Sequence, residues 1–518
     1  MNEVLANLAR GAPLVALLVV LADLFALPRP RIGVPARSAS GSLVLLLTAL
    51  IAFALLLALT GAPAVAGISV AVMFAALSLI SNIKRRVLGE PLVFSDLALI
   101  GAVFQHPQFY ISALRPWQIA VLIAGLGGVI APLSVLATGE IAPRAGGLVL
   151  ALAGWGGLAV ALPRAVRSLS TPIPDPERDV ARLGLVPALL AQWTAWRRTG
   201  DPDPCVAERI GGSSGQLVVI VQCESFTDPL AVFGNAETTL PGLSRARALA
   251  WQSGRLLVPG FGAYTMRTEY GVLFGRDEAQ LGARRFDPFL TARGEASWAL
   301  PNRLDPAQWD TVFVHPHDLR FYGRDRLMPE SGFATLVGED SFAPPAPGEG
   351  RYVTDAAVTD RILALAAGGS RASLIYAVTI ENHGPWPASD RHGDCPAAPY
   401  LRLLRRSDAM LARLVEELPR IGRPVTLCFF GDHRPSIPGA SEPGPERHTP
   451  YVILRFDANG AVLPDGGRER DLTPAELHHA LLEAIGSGEA QGEQDAVAQG
   501  ARQEAIEPAQ QQEAPRHH

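Results

Sequence analysis

The sequence predicts an α/β protein in two parts: an N-terminal transmembrane domain of about five helices over residues 1–165, and a domain with a mainly parallel central sheet over residues 215–487. Three observations predict it. The hydrophobic residues of the 518-residue chain crowd into its first third, in runs of near-spanning length. The composition then shifts abruptly to a stretch rich in Pro, Asp and Arg. Beyond it, short apolar runs that end in acidic or histidine residues alternate with helix-like stretches, the pattern of strands covered on both faces by crossover helices.

The apolar runs are Leu14–Leu27, Leu43–Leu59, Val65–Leu79, Ile119–Leu136 and Leu148–Leu162. A bilayer core of roughly 30 Å takes about 20 such residues in a helix, so each run reads as a span. Asp23 weakens the first, and a short GAPA turn joins the second to the third. The apolar series continues past any plausible cleavage point, which argues against a cleaved leader. Arg29, Arg31, Arg37 and the Lys84–Arg86 cluster fall on one side of the spans. The positive-inside rule would put that side, and the C-terminal domain with it, in the cytoplasm. The loop Asn82–Ile100 has another reading, as a membrane-surface segment whose charges hold anionic lipid head groups, and we expect the C-terminal domain outside.

Residues 166–214, with LSTPIPDPERDV and TAWRRTGDPDPC, form a linker. Within it Val180–Arg197 has the pattern of an amphipathic helix lying along the membrane, with Leu183, Leu185, Leu189, Leu190 and Trp193 on its apolar side. The Gln-, Glu- and Ala-rich residues 488–518 lack a core pattern and are expected to be disordered.

QLVVIVQCESF from Gln216, DTVFVHPHD from Asp310, ASLIYAVTIENHGPW from Ala372 and RPVTLCFFGDH from Arg423 read as buried strands, with helix-like stretches at Thr354–Ala367 and Tyr400–Leu418. In such sheets ligands sit beyond the carboxyl ends of the strands, where all four runs deliver polar residues. A formal charge of −5 and the absence of a basic block exclude a nucleic-acid footprint; Lys84 is the single lysine, so most cations are arginine. Four cysteines without C-x-x-C spacing make no disulfide framework. Cys223 and Cys428 fall in strand-like runs and read as buried thiols, whereas Cys205 and Cys395 lie in polar segments, where pairing stays open.

The stretch Val258–Gly275, VPGFGAYTMRTEYGVLFG, sets Thr265 where a glycine-rich loop hands over to a helix. Free N–H groups at a helix start accept an anion, so a phosphate could rest beside an attacking hydroxyl; threonine is equally an ordinary cap. Glu224 follows one strand, and Asp432 with His433 follows another. Each alone reads as a solvated turn or cap. Together they suit a divalent cation of the zinc or manganese type, and Thr265 as a fourth ligand would give an activated alkoxide.

The ordered set CESF, the Thr265 loop with Glu269, HPHDLRFYGRDRLMPESGF, TIENHGPW, FFGDH and RHTPY resembles the membrane-bound transferases of the alkaline phosphatase and sulfatase superfamily. The likeness is to lipoteichoic acid synthase and the phosphoglycerol transferases that decorate periplasmic glucans. It implies a sulfatase-like domain facing outward from a bacterial inner membrane, one divalent metal (manganese first, zinc or magnesium otherwise) on Glu224, Thr265, Asp432 and His433, and Thr265 as nucleophile. It also implies phosphate and head-group contacts from Arg324, His383 and His315, a phosphatidylglycerol donor and a glycan or lipid acceptor. Tyr322 stands where the synthases often carry tryptophan. His448, a further expected substrate contact before a Thr-Pro pair, matches the phosphoethanolamine transferases of the same superfamily instead, although their several disulfides have no counterpart here; the spacing from His315 through Gly332 follows the synthases. A hydrolase with water as acceptor is a third reading, against which the lack of a Cys/Ser-x-Pro-x-Arg signature at Thr265 counts for sulfatases. A non-catalytic scaffold is the fourth.

Overall fold

The computed structural model describes residues 2–29, 37–97 and 140–486, apart from 172, 214, 235–237, 347–349, 387–394 and 464–465, together with positions 120, 123 and 127. The fourth apolar run falls almost entirely outside these residues, as does the tail over 488–518. The chain divides into two units, Met1–Gly200 with Glu278–Thr291, and Asp201–Asp277 with Ala292–His518.

Among the described residues the longer helices of the first unit are α1 (Asn2–Phe25), α2 (Ala39–Thr60), α3 (Pro63–Leu88), α4 (Ile141–Val166), α5 (Pro176–Leu183) and α6 (Leu185–Arg198). Among the described residues three of the expected spans, α2, α3 and α4, are long and apolar enough to cross a membrane; the apolar part of α1, Ala12–Phe25, is shorter. Small residues let α4 approach α2 closely: a Cβ on Gly147 would lie 2.6 Å from the carbonyl oxygen of Ala54. Asp23, the flaw in the first apolar run, has an internal purpose. Arg37 Nε donates to Asp23 Oδ2 at 3.0 Å and Leu185 N to Asp23 Oδ1 at 2.8 Å, while the rest of the guanidinium serves carbonyls that include Ala26, Pro28 and Val180.

The expected single helix over Val180–Arg197 is instead two, broken at Gly184, whose φ of +93° no helix accepts. Leu183, Leu185 and Leu189 are buried in a cluster with Val44, Ile51 and Leu158, so this apolar side packs on protein. Trp193 is exposed. The basic residues expected in a loop from Asn82 lie instead in the last turns of α3 and are partly internal: Lys84 pairs with Glu90 and Asp96, and Arg85 makes a two-pronged pair with Glu177. Glu278–Thr291 belongs to this unit through Phe286, which packs edge-on against Phe94, itself stacked on Trp196.

The second unit is built on an eight-stranded sheet: β1 (Leu217–Cys223), β2 (Gln252–Leu257), β3 (Trp309–Val314), β4 (Thr335–Val337), β5 (Ala372–Val378), β6 (Val425–Gly431), β7 (His448–Phe456) and β8 (Arg468–Glu469), in the order β4-β3-β5-β1-β6-β7-β2-β8. Every pairing is parallel except those of β7, which runs against both β6 and β2, so the sheet is mixed but mainly parallel. Residues of β1, β5 and β6 are buried throughout, because both faces are covered. On one face Val219, Val221, Leu427 and Phe429 pack with Val358 and Ile362 of the helix Asp355–Ala367 and Leu404 and Leu411 of the helix Ala398–Glu417.

The register positions the site. Cys223 at the end of β1 lies opposite Gly431 at the end of β6, so the next residues, Glu224 and Asp432, leave the sheet side by side. Gly431 is required there: a Cβ would come within van der Waals overlap of the Phe226 carbonyl. Because β7 runs the other way, its first residue, His448, pairs with Leu257, the last of β2. The chain then runs from β2 through a short loop into the helix Thr265–Phe274 at this same edge.

Candidate metal centre and active site

Glu224, Asp432 and His433 each offer a ligand atom, all within 4.8 Å of one another, and all three residues are buried. His433 Nε2 is 3.4 Å from Glu224 Oε1 and 3.6 Å from Asp432 Oδ2. Neighbours hold both acidic residues in place, Asp432 by its other oxygen and Glu224 by the same Oε1 and by its backbone. Ser225 N and His433 N donate to Asp432 Oδ1 at 2.8 and 2.9 Å, Ser225 Oγ donates to Glu224 Oε1 at 2.8 Å, and Glu224 N donates to Thr379 Oγ1 at 3.0 Å. Asp432 Oδ2 is left buried with no hydrogen-bond partner. A carboxylate oxygen without a donor is costly in a protein interior, and a cation would remove that cost. Burial, and then the charge of Asp432, push the Glu224 carboxyl up to about 8. A divalent ion would displace that proton, so the residues present fit a metal, with two carboxylates and one imidazole favouring zinc or a harder ion such as manganese.

Thr265 is the first residue of its helix and is 8% exposed. The helix is tied to the cluster from both sides of this residue. Thr268 Oγ1 donates to Asp432 O at 2.7 Å, and Gly262 N donates to Arg434 O at 2.9 Å. Gly262, with φ of +66°, lets the loop turn against Ser436, whose Cβ would be 2.5 Å from a Cβ placed here. Among the described residues three non-glycines have positive φ: Ser225, Tyr264 and Tyr322. They adjoin Glu224, Thr265 and, two residues on, Arg324. Such conformations cost about 1–3 kcal/mol each and collect where geometry matters more than stability.

A second group surrounds Arg324, which opens the helix Arg324–Glu330 and is 1% exposed. Its Nε and Nη2 donate to the two oxygens of Glu269, and Nη1 lies 3.5 Å from His315 Nε2. His315 Nδ1 lies 3.0 Å from Val378 O and must donate to it, which leaves Nε2 as the acceptor facing Arg324. Burial, reinforced by Arg324, holds His315 well below the ordinary histidine value, so this imidazole is neutral. His383 Nδ1 donates to Gly384 O at 2.7 Å and its ring meets Tyr352; burial lowers its pKa as well.

His448 belongs to a further group. Arg434 Nη2 donates to its ring and Nε to its carbonyl oxygen, while Glu446 lies 3.1 Å from Nδ1. All four cysteines are free thiols, Cys205 and Cys395 included, and Cys223 and Cys428 are buried. Ser225, Thr268 and Thr379 escaped sequence reasoning, although Ser225 stands inside CESF and Thr379 begins TIENHG. Hydroxyls next to ligands are too common to single out.

A fold with ligand-bearing loops beyond the carboxyl ends of a mainly parallel sheet, and a buried acid–acid–histidine cluster, matches the family model described as sulfatase over residues 216–487. The chain belongs to the sulfatase family. Among curated proteins it is 32% identical over 437 residues to the capsular polysaccharide biosynthesis protein RkpI of Rhizobium meliloti, covering 78% of this chain and 79% of that one. A putative cyclic β-1,2-glucan modification protein of the same organism is 24% identical over 235 residues, 42% of this chain and 36% of its own. Among solved structures, the lipooligosaccharide phosphoethanolamine transferase EptA of Neisseria meningitidis shares the fold with a TM-score of 0.50 at 12% identity, over 90% of this chain and 95% of its own.

Proposed function

We propose that the chain is a metal-dependent membrane phosphotransferase of a bacterial inner membrane, with its catalytic domain extracytoplasmic. It moves the phosphoglycerol head group of phosphatidylglycerol to a glycan or lipid hydroxyl. The observation that carries the reading is the convergence of Glu224, Asp432 and His433 with one carboxylate oxygen left unpartnered. Glu224, Asp432, His433 and the Thr265 hydroxyl would hold the ion, manganese before zinc or magnesium. When bound, it would lower the hydroxyl pKa and neutralise charge on an attacked phosphate.

Thr265 Oγ1 forms a bond to phosphorus as the bond to the diacylglycerol oxygen breaks, and diacylglycerol leaves with the proton. The acceptor hydroxyl then attacks the phosphothreonine, and Thr265 regains its hydrogen. Arg324, oriented by Glu269, supplies positive charge beside the phosphoryl oxygens. His315, neutral with its Nε2 turned to Arg324, positions that guanidinium, and His383 contacts the head group. His448, gripped by Arg434, holds the loop that bears the strand-end ligands. The names of the relatives, a capsular polysaccharide and a cyclic glucan protein, support a glycan acceptor.

Purified protein incubated with head-group-labelled phosphatidylglycerol or phosphatidylethanolamine, with and without manganese or zinc, tests this reading. Metal-dependent diacylglycerol from phosphatidylglycerol is expected. Release from the ethanolamine lipid alone would replace the donor, release of free glycerol phosphate in the presence of acceptor would make it a hydrolase, and no turnover with any metal would leave a scaffold.

A further inference from the structure

The first unit carries a cavity of about 370 Å³ where the end of α1 meets the last turns of α3. Its wall carries two kinds of side chain, the apolar Phe25, Leu27, Leu79 and Ile83 and the basic Arg29, Arg85 and Arg86. Asn82 makes the wall a fixed one. Its Nδ2 donates to Phe25 O at 2.9 Å and its Oδ1 accepts from Leu27 N at 2.7 Å, which stitches the unwound end of α1 to α3. Arg85 is held by Glu177 at 2.6 and 2.9 Å. Arg29 and Arg86 are exposed and, among the described residues, make no ion pair or hydrogen bond. Phe25 is 51% exposed beside them.

Two guanidinium groups with no ion-pair partner among the described residues, one just past α1 and one in the last turn of the membrane-length α3, stand beside the exposed Phe25 ring and match one kind of surface. The arginines suit a phosphodiester, which a planar fork grips in two places, and the apolar part suits the first methylenes of an acyl chain. Basic pockets between transmembrane helices bind anionic lipid heads on this principle, and the volume falls in the range of small-ligand sites. We propose that this cavity is a binding site for one anionic phospholipid, with its phosphate on Arg29 and Arg86 and its chains along Phe25 and Leu79. Lys84, by contrast, is neutralised by Glu90 and Asp96 and takes no part. The proposal is independent of the catalytic reading, because every residue in it lies in the first unit.

The full chain bearing Thr265→Ala, so that no lipid is consumed, is titrated in detergent with phosphatidylglycerol and separately with phosphatidylcholine, and the bound lipid is counted by native mass spectrometry. Phosphatidylglycerol is expected to bind in preference to phosphatidylcholine. Arg29→Gln and Arg86→Gln should each weaken it roughly fivefold, and the double variant about thirtyfold, without a change in melting temperature. Arg413→Gln, a surface control in the second unit, should bind as the parent does. Equal retention of the two lipids, undiminished phosphatidylglycerol binding by the double variant, or full displacement by millimolar inorganic phosphate would each overturn the proposal; the last would make it a free-anion site.

Discussion

Arg324 and Glu269, 55 residues apart, meet in the interior through two parallel N–H donations, Nε to Oε1 at 3.1 Å and Nη2 to Oε2 at 2.5 Å. The pair is almost wholly shielded from water, at 2% and 0% side-chain exposure. Two buried charges of this kind offset each other's loss of hydration, and neither is tolerable alone.

Glu269→Ala should therefore destabilise the second unit by about 3–5 kcal/mol, because it leaves the guanidinium uncompensated. Arg324→Lys should fail to restore activity even where the protein folds, since an ammonium cannot make both bonds. Chemical denaturation of each variant beside turnover assays checks both statements.

Thr265→Ala should lower turnover by roughly a thousandfold or more while leaving the melting temperature near that of the parent, since it removes one hydroxyl from a helix start. Unchanged turnover would remove Thr265 from the nucleophile role.

Manganese or zinc should raise the melting temperature of the parent, by about 2.7 kcal/mol of added stability at a hundredfold excess over Kd, and a chelator should reverse it. Asp432→Asn should lose that response, because an amide is a poor ligand and brings two donors to a place where an acceptor is wanted. A metal response of equal size in this variant would place the ion elsewhere.

The carboxyl of Asp355 gives a pH prediction. Burial, and next the charge of Glu381, raise it from 3.8 to about 7, with Ser407 Oγ donating to Oδ2 at 2.6 Å. The folded protein keeps this proton after the unfolded chain has lost it. The stabilising contribution is therefore full below 3.8 and is lost as pH rises through about 7. Asp355→Asn should flatten the stability profile across that window and raise stability at neutral pH. A profile with the parent's slope would exclude Asp355 as its origin.

Much of the candidate site was legible because its signals are local. Apolar runs that stop at an acidic residue mark Glu224 and Asp432 with no knowledge of partners, and the sheet register then sets them side by side. Thr265 was visible through the glycines that bend its loop. The reversal of β7 was not, because HTPYVILRF reads alike in either direction of pairing, and it decides that His448 reaches the edge where the parallel strands end. The break at Gly184 was hidden for a similar reason: the apolar spacing on either side continues in phase, while the turn answers to Asp23 far back in the chain.

By itself the sequence determined which segments are apolar, where strands stop, and which side chains of metal-binding and nucleophilic type stand at those stops, since hydrophobic periodicity and chain-breaking residues act within a few positions. Only the tertiary structure decided which charges neutralise one another. Lys84 with Asp96, Arg85 with Glu177, Asp23 with Arg37 and Glu269 with Arg324 are pairs whose members look alike in sequence whether they meet each other, a lipid or water. Coulombic attraction and desolvation depend on distance in space, and a one-dimensional order of residues does not carry that distance.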